Sequence, residues 1–379
     1  MIDVEAIVKA TRVNNCLECG KCTANCPISR FSDSYSPRLN VGQFIQGYAD
    51  QLIKDDRLWA CLTCGMCNVR CPSDVKYTEF MKQMRFEAFQ DGREATCSHG
   101  GAIQSLMRIM TSPSLNQNRL EWVPKELKFA EKGELVYFVG CLPYFDALFT
   151  ELEVHTLDTA KGVLTILNHL NTTPVLLKNE RCCGHDLLWS GDIENFKKLA
   201  KHNLAEIKGA GAKKVLFSCA EGYRTFKLDY PQYFGQLDFE VIHISEFVAE
   251  QISSNGLKFG QLNRTVTYQD PCRLGRHMNV YDPPREIMAH IPGLELVEMA
   301  KNRNTAVCCG TSAWMNCDIT SKQIQTYRLK SAKSTGADLF VTSCPKCYIH
   351  FKCAQKDEKI GDQIDIEIQD LATLAALAL

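Results

Sequence analysis

The sequence predicts an α+β fold, with a helical cysteine-rich N-terminal domain followed by two related α/β halves. Three observations predict it. Two runs of four cysteines with identical spacing lie within the first 71 residues, separated by a stretch of helical periodicity. Short runs rich in β-branched and aromatic residues then alternate with amphipathic stretches. Finally, cysteines recur at nearly constant separation: Cys141 to Cys272 is 131 residues, Cys183 to Cys309 is 126 and Cys219 to Cys344 is 125. Such a repeat reads as an internal duplication. The expected domains are residues 1–95, a connecting segment 96–132, a first half 133–258 and a second half 259–379.

The N-terminal runs are Cys16-x2-Cys19-x2-Cys22-x3-Cys26-Pro27 and Cys61-x2-Cys64-x2-Cys67-x3-Cys71-Pro72. This spacing is the bacterial ferredoxin signature, in which three close cysteines hold one cubane and the fourth, set off by proline, ligates the other. The expected ligand sets are Cys16, Cys19, Cys22 and Cys71 for one [4Fe–4S] cluster, and Cys61, Cys64, Cys67 and Cys26 for the second. Zinc favours paired Cys-x2-Cys units rather than a duplicated four-cysteine run. Disulfides need an oxidising compartment, and Met1-Ile2-Asp3-Val4-Glu5 reads as no export signal. Between the runs, Val41 to Ala49 carries an i, i+3, i+4 apolar pattern, and Tyr77 to Gly92 repeats it through Phe80, Met81, Met84 and Phe89. A helical two-cluster module is therefore expected rather than a minimal β-rich one.

In the remaining two-thirds, Leu135 to Cys141, Val215 to Cys219, Val266 to Cys272 and Leu339 to Cys344 read as buried strands ending at cysteines. Ile193 to Lys208 and Ile319 to Lys333 read as helices followed by turns at Gly209 and Gly336. Strand–helix–strand alternation argues for small parallel, Rossmann-like sheets. Ligands of such sheets sit beyond the carboxyl ends of the strands, where these cysteines fall. The run Leu371 to Leu379 reads as a terminal helix packed on its own core.

The second half carries Cys272, then thirty-five residues, Cys308-Cys309, thirty-four residues opening on Gly310, and Cys344-Pro345-Lys346-Cys347. With Asp270-Pro271-Cys272-Arg273-Leu274-Gly275-Arg276, this resembles the signature of CCG domains, found in catalytic subunits of heterodisulfide reductase and their relatives. The second spacer is one residue shorter than that family's usual range. The resemblance implies that Cys272, Cys308, Cys309, Cys344 and Cys347 hold a non-cubane [4Fe–4S] cluster, two fused smaller units with an openable iron. A fifth thiolate fits that purpose, since it can bridge two irons and split the cage. The first half departs from the pattern: Cys141, Cys182, Cys183 and Cys219 are present, but Gly222 stands where the fifth cysteine belongs. Its alternatives are a modified iron–sulfur cluster, a structural tetrathiolate zinc, or no metal.

On this resemblance the chain passes electrons through two cubanes to a single non-cubane cluster, which reduces a disulfide or oxidises thiols in reverse. His185 and His277 are candidate proton donors because imidazole titrates near neutrality, with Asp186 and Asp270 as alternatives. Arg273 and Arg276 are candidates for attracting an anionic substrate. Cys97, Cys317 and Cys353 lack spacing partners and are expected to be buried thiols. The second functional class is a non-catalytic electron-transfer subunit linking a flavoprotein dehydrogenase or acyl-CoA reductase complex to another redox partner. No G-x-G-x-x-G follows a strand, so electrons are exchanged with another polypeptide, a flavoprotein or membrane subunit, under either reading. A net charge of −1 gives no footprint for nucleic acid, and no stretch approaches the ~20 apolar residues that span a bilayer. The expectation is a cytoplasmic protein, peripheral to a membrane complex.

Overall fold

The computed structural model describes residues 2–379, which divide into two compact units. The first contains residues up to Ile109 together with Gly184–Phe196 and Val307–Gln325. The second contains Met110–Cys183, Lys197–Ala306 and Thr326–Leu379. The segments that follow each Cys-Cys pair thus belong to the first unit.

The first unit is helical. Asp3 accepts the amide of Ala6 to cap Val4–Thr11, and Ser36 caps Pro37–Ile45 by accepting the amide of Leu39. The sequence placed this second helix at 41–49. It begins four residues earlier because Ser36-Pro37 is a start signal, and Ala49–Leu52 forms a separate turn. Tyr77–Gln90 is a helix as expected, burying Phe80, Met81 and Met84. Phe44 meets Phe80 edge-on, with ring centroids 5.1 Å apart, a geometry favoured by the ring quadrupoles.

The second unit holds two parallel sheets. In chain order the strands are β1 (Leu135–Phe138), β2 (Lys214–Phe217), β3 (Glu240–His243), β4 (Arg264–Gln269), β5 (Leu294–Leu296), β6 (Leu339–Thr342) and β7 (Glu367–Asp370). The sheet orders are β1-β2-β3 and β5-β4-β6-β7, every pair parallel. β1, β2, β4 and β6 match the four expected strands but stop two or more residues before each cysteine, leaving the thiols on the loops beyond. β3, β5 and β7 were not foreseen. The helix Ile193–Ala210 continues through Gly209, and Gly211, at φ +82°, makes the turn instead. The C-terminal run is a helix, Leu371–Leu377, and buries Leu371, Ala372, Leu374 and Ala375. These residues join one apolar core with Tyr137, Leu164, Val266 and Val341, drawn from both halves.

Candidate functional site

The two cysteine runs fold alike. In each, the residue before the second cysteine is left-handed (Glu18, φ 50°; Thr63, φ 44°), and so is the glycine after it (Gly20, φ 75°; Gly65, φ 77°). Such curls aim successive amides at one point, a concavity that suits anions and iron–sulfur groups. One cavity, about 450 Å³ including open solvent, is lined by Cys16, Cys19, Cys22, Cys67 and Cys71. A second, about 300 Å³, is lined by Cys26, Cys61, Cys64 and Cys67. The fourth cysteine of each run therefore lies at the other run's cavity.

The cavities differ in environment. Cys19 is exposed, whereas Cys61 and Cys64 are buried. Burial pushes the Cys26 thiol up to about 12. Cys61 is also raised by burial, but the Arg85 guanidinium, the Tyr35 hydroxyl and the Thr63 amide pull the other way. Amides reach sulfur directly, from Thr63 to Cys61 and from Val75 to Cys71, each at 3.3 Å. The Tyr77 hydroxyl accepts from the side-chain amide of Asn40 at 2.8 Å and meets the Tyr35 hydroxyl at 2.9 Å, closing one wall of the second cavity. Five thiols at the first cavity and four at the second, Cys67 lining both, fit [4Fe–4S] groups together with converging amides and apolar walls.

The loop of the second cavity is tied to both Cys-Cys-Gly tails of the first unit. Thr63 and Ser312 share a buried hydroxyl hydrogen bond of 2.8 Å. Asn316 donates to the carbonyls of Trp59 (3.3 Å) and Ala60 (3.1 Å), and accepts from the Ser312 amide. Arg85 donates to Cys61 O at 2.6 Å and to Trp189 O at 3.2 Å. Ala313 and Trp314 are both left-handed, a strained pair worth about 1–3 kcal/mol each. Gln104 holds the Ala313 carbonyl and Ser98 that of Trp314. Gly184 (φ +81°) and Gly310 (φ +93°) make the sharp turns, and a Cβ on Gly310 would lie 2.9 Å from Ser321 O.

Cys308 and Cys309 belong to this first unit; Cys272, Cys344 and Cys347 belong to the second, as do Cys141, Cys182, Cys183 and Cys219. Within the second unit the ends of the two sets approach each other. The Cys219 thiol is raised by burial, then by Cys344, Glu221 and Cys183, and Lys346 pairs with Glu221 at 2.7 Å. Beneath them lies a duplicated hydroxyl pair: Tyr137 with Ser218 at 2.8 Å, and Tyr268 with Ser343 at 3.1 Å.

Buried carboxylates pin the first-cysteine loops. Glu180 accepts from the amides of Val139 and Gly140 and pairs with Arg119 at 2.8 Å. Burial raises its carboxyl to about 7 despite that guanidinium. Asp270 is paired by Arg285 (2.8 and 3.0 Å) and takes the Arg303 amide at 2.7 Å, so it acts as a structural anchor. Asn203 and Tyr230 bond the carbonyls of Cys182 and Cys183. None of these clamps was foreseen. Each is a single polar residue, in a loop (Glu180, Asp270) or on a helix (Asn203, Tyr230), without a periodic signal.

His185 is buried, with Nδ1 at 2.8 Å from Asp186, a pairing that fixes one tautomer. His277 stands between Arg273, 2.9 Å from Nε2, and Arg224, 3.3 Å from Nδ1. Arginine only donates and a neutral imidazole accepts at only one nitrogen, so the ring accepts from one of these two arginines at a time. Arg276 donates to the carbonyls of Asn304 and Ala306. The three spare cysteines are not the buried thiols expected: Cys317 is exposed, and Cys97 and Cys353 are half-buried.

A 4Fe-4S dicluster domain matches residues 12–75, and a cysteine-rich domain, CCG, matches residues 135–227 and 266–352. The chain belongs to the iron–sulfur proteins that join such a dicluster domain to paired CCG domains. Within that class it is similar to one component of the dihydromethanophenazine:CoB–CoM heterodisulfide reductase of Methanosarcina acetivorans, 37% identical over 271 residues. That match covers 69% of this chain and 63% of the relative's length, so the chain spans just under two thirds of that relative. One component of the fumarate reductase (CoM/CoB) of Methanothermobacter marburgensis is 25% identical over 374 residues, 96% of this chain and 72% of that one. A hypothetical protein from Helicobacter pylori shares the fold at a TM-score of 0.53 and 11% identity, covering 89% of this chain and 68% of its own. Among the described residues, no helix is long and apolar enough to cross a membrane.

Proposed function

We propose that the chain is an electron-transfer oxidoreductase of the heterodisulfide reductase type, working within a larger redox complex. One disulfide takes up two electrons and two protons, its S–S bond breaks, and two thiols form; the reverse oxidises two thiols. When bound, the iron–sulfur groups would supply one-electron storage and a sulfur-binding iron. Cys16, Cys19, Cys22 and Cys71, and Cys61, Cys64, Cys67 and Cys26, would hold the two cubanes. Cys272, Cys308, Cys309, Cys344 and Cys347 would hold the substrate-facing non-cubane group, by their spacing and resemblance.

The observation that carries this reading is the contact between the second-cavity loop and the tail of Cys308-Cys309, through Thr63–Ser312 and Asn316. It ties the loop of the second cavity to the segment that follows Cys308-Cys309. His185, oriented by Asp186, is the better-placed of the two histidines to hold a transferable proton. The partners inferred are a flavoprotein or membrane subunit, together with a disulfide or thiol substrate.

The test is anaerobic purification with iron, followed by electron paramagnetic resonance on addition of thiols and disulfides. A new signal that disappears in Cys347→Ser supports the reading. No response to any thiol or disulfide would overturn it in favour of a plain electron conduit. Metal content addresses the first half: about sixteen irons per chain mean four [4Fe–4S] groups, and about twelve with one zinc mean a structural zinc at Cys141, Cys182, Cys183 and Cys219.

A further inference from the structure

Arg85 lies on the inward face of the helix Tyr77–Gln90 and is fully buried, 0% exposed. Its guanidinium donates to the carbonyls of Leu58, Trp59 and Cys61, and to Trp189 on the far side. The Trp59 ring centroid is 5.7 Å away. Removing a guanidinium from water costs several kcal/mol, so its place needs a reason beyond fold. Carbonyl bonds at this one loop fix the charge against the backbone of Cys61, a lining residue of the second cavity.

The first cavity has no such arrangement among its lining residues. Its charged neighbours Glu18, Lys21 and Arg38 are at the surface, and Arg38 pairs with Glu18 at 3.8 Å. Charges there are screened over about 8–10 Å at ordinary ionic strength. Burial acts oppositely on the second cavity, because an added negative charge is less well solvated there.

We propose that Arg85 is a built-in countercharge that holds up the reduction potential of the group in the second cavity, offsetting the burial of that cavity. Uptake of one electron there makes and breaks no bond, and simply places one more negative charge beside the guanidinium. The inference rests on the two-cubane reading but not on the disulfide chemistry.

The experiment is a redox titration of the full, iron-loaded chain, followed by paramagnetic resonance so that the two cubane midpoints are read separately. Arg85→Gln is expected to lower one midpoint and leave the other in place, with electron partition between them changing at least about tenfold, or about 59 mV for a one-electron couple. Arg85→Lys, which keeps the charge, is expected to lie close to wild type, and Arg38→Gln to move neither strongly. In wild type, raising salt is expected to shift the midpoint of the exposed cavity and spare the buried one. Unmoved midpoints in Arg85→Gln, or equal shifts in both, would overturn the inference. Where Arg85→Gln fails to load, the salt response decides: equal salt shifts of both midpoints refute it. A chain that binds no iron at all fails the two-cubane reading instead.

Discussion

The two CCG halves share a plan and differ where chemistry would begin. Each has a tyrosine on its first strand bonded to a serine just before the strand-end cysteine, Tyr137–Ser218 and Tyr268–Ser343. Each pins its first-cysteine loop with a buried carboxylate and an arginine. The halves part at the next turn, Cys219-Ala220-Glu221-Gly222 against Cys344-Pro345-Lys346-Cys347. The loss of the fifth cysteine is not an isolated vacancy. A Cβ on Gly222 would lie 3.3 Å from the Phe217 ring, and the register of 125 residues matches Phe217 with Thr342 and Gly222 with Cys347. Phe217 packs on Phe138 and Phe226, with centroids 5.3 and 4.8 Å away. The Phe217 ring thus stands where the second half has Thr342, and Gly222 where it has Cys347. The two halves differ there in packing and in cysteine count.

The largest effect that separates them is in ligand removal. Cys347→Ser is expected to abolish the thiol-dependent resonance signal, whereas Cys219→Ser is expected to leave it while lowering metal content. Loss of the signal in both would mean that the halves work as one site and would break the comparison.

Next come the carboxylate clamps. Glu180→Gln strands Arg119 in the interior, and breaking a buried pair costs about 3–5 kcal/mol. Asp270→Asn is expected to cost less, because Arg285 keeps Glu298 at 2.5 Å. Denaturant unfolding of the two variants measures the difference, and equal losses would show that Glu298 contributes nothing.

A smaller effect sharpens the aromatic substitution. Gly222→Cys alone crowds Phe217 and is expected to destabilise by about 1–3 kcal/mol, the usual overpacking range. Adding Phe217→Thr relieves that crowding but empties a fully buried aromatic site, so stability is expected to fall by about 3–5 kcal/mol more while iron content rises. An unchanged iron content would leave Phe217 as packing only.

The two cysteine-lined cavities and most strands were legible because both signals are local. Cysteine spacing is written along the chain, and apolar runs such as Leu339–Thr342 declare a buried strand. The three edge or short strands were not: Glu240–His243 and Glu367–Asp370 begin with an acidic residue, and Leu294–Leu296 spans three residues. Nor could spacing reveal that Gly184–Phe196 and Val307–Gln325 pack with the ferredoxin module, since that depends on single contacts such as Thr63–Ser312. Arg85 was invisible for a related reason. An arginine beside Met84 on an amphipathic helix reads as the solvent face, and only its carbonyl partners reveal otherwise.

The least effect concerns the residues that end the last strand of each half and cap the helix after it, His243 and Asp370. Both are fully buried, and burial acts on them in opposite directions. It lowers the His243 imidazole to about 3, a shift that a Ser218 backbone contact only partly opposes. It raises the Asp370 carboxyl to about 7 against the pull of the Ala372 amide. The unfolded chain binds the His243 proton near pH 6.5 while the folded chain does not, so this residue removes stability as pH falls below about 6.5. The folded chain holds the Asp370 proton after the unfolded chain has lost it, so this residue removes stability as pH rises from about 4 toward 7. The first half's cap thus weakens in acid and the second half's weakens toward neutrality, each with a ceiling of about 1.4 kcal/mol per pH unit. Asp370→Asn keeps a capping side chain and removes the proton, so its stability relative to wild type is expected to improve between pH 5 and 8. His243→Asn is expected to gain on wild type in the other direction, from pH 7 down to 5. Thermal unfolding across that range measures both slopes, and parallel profiles for the two variants would show that these caps do not distinguish the halves.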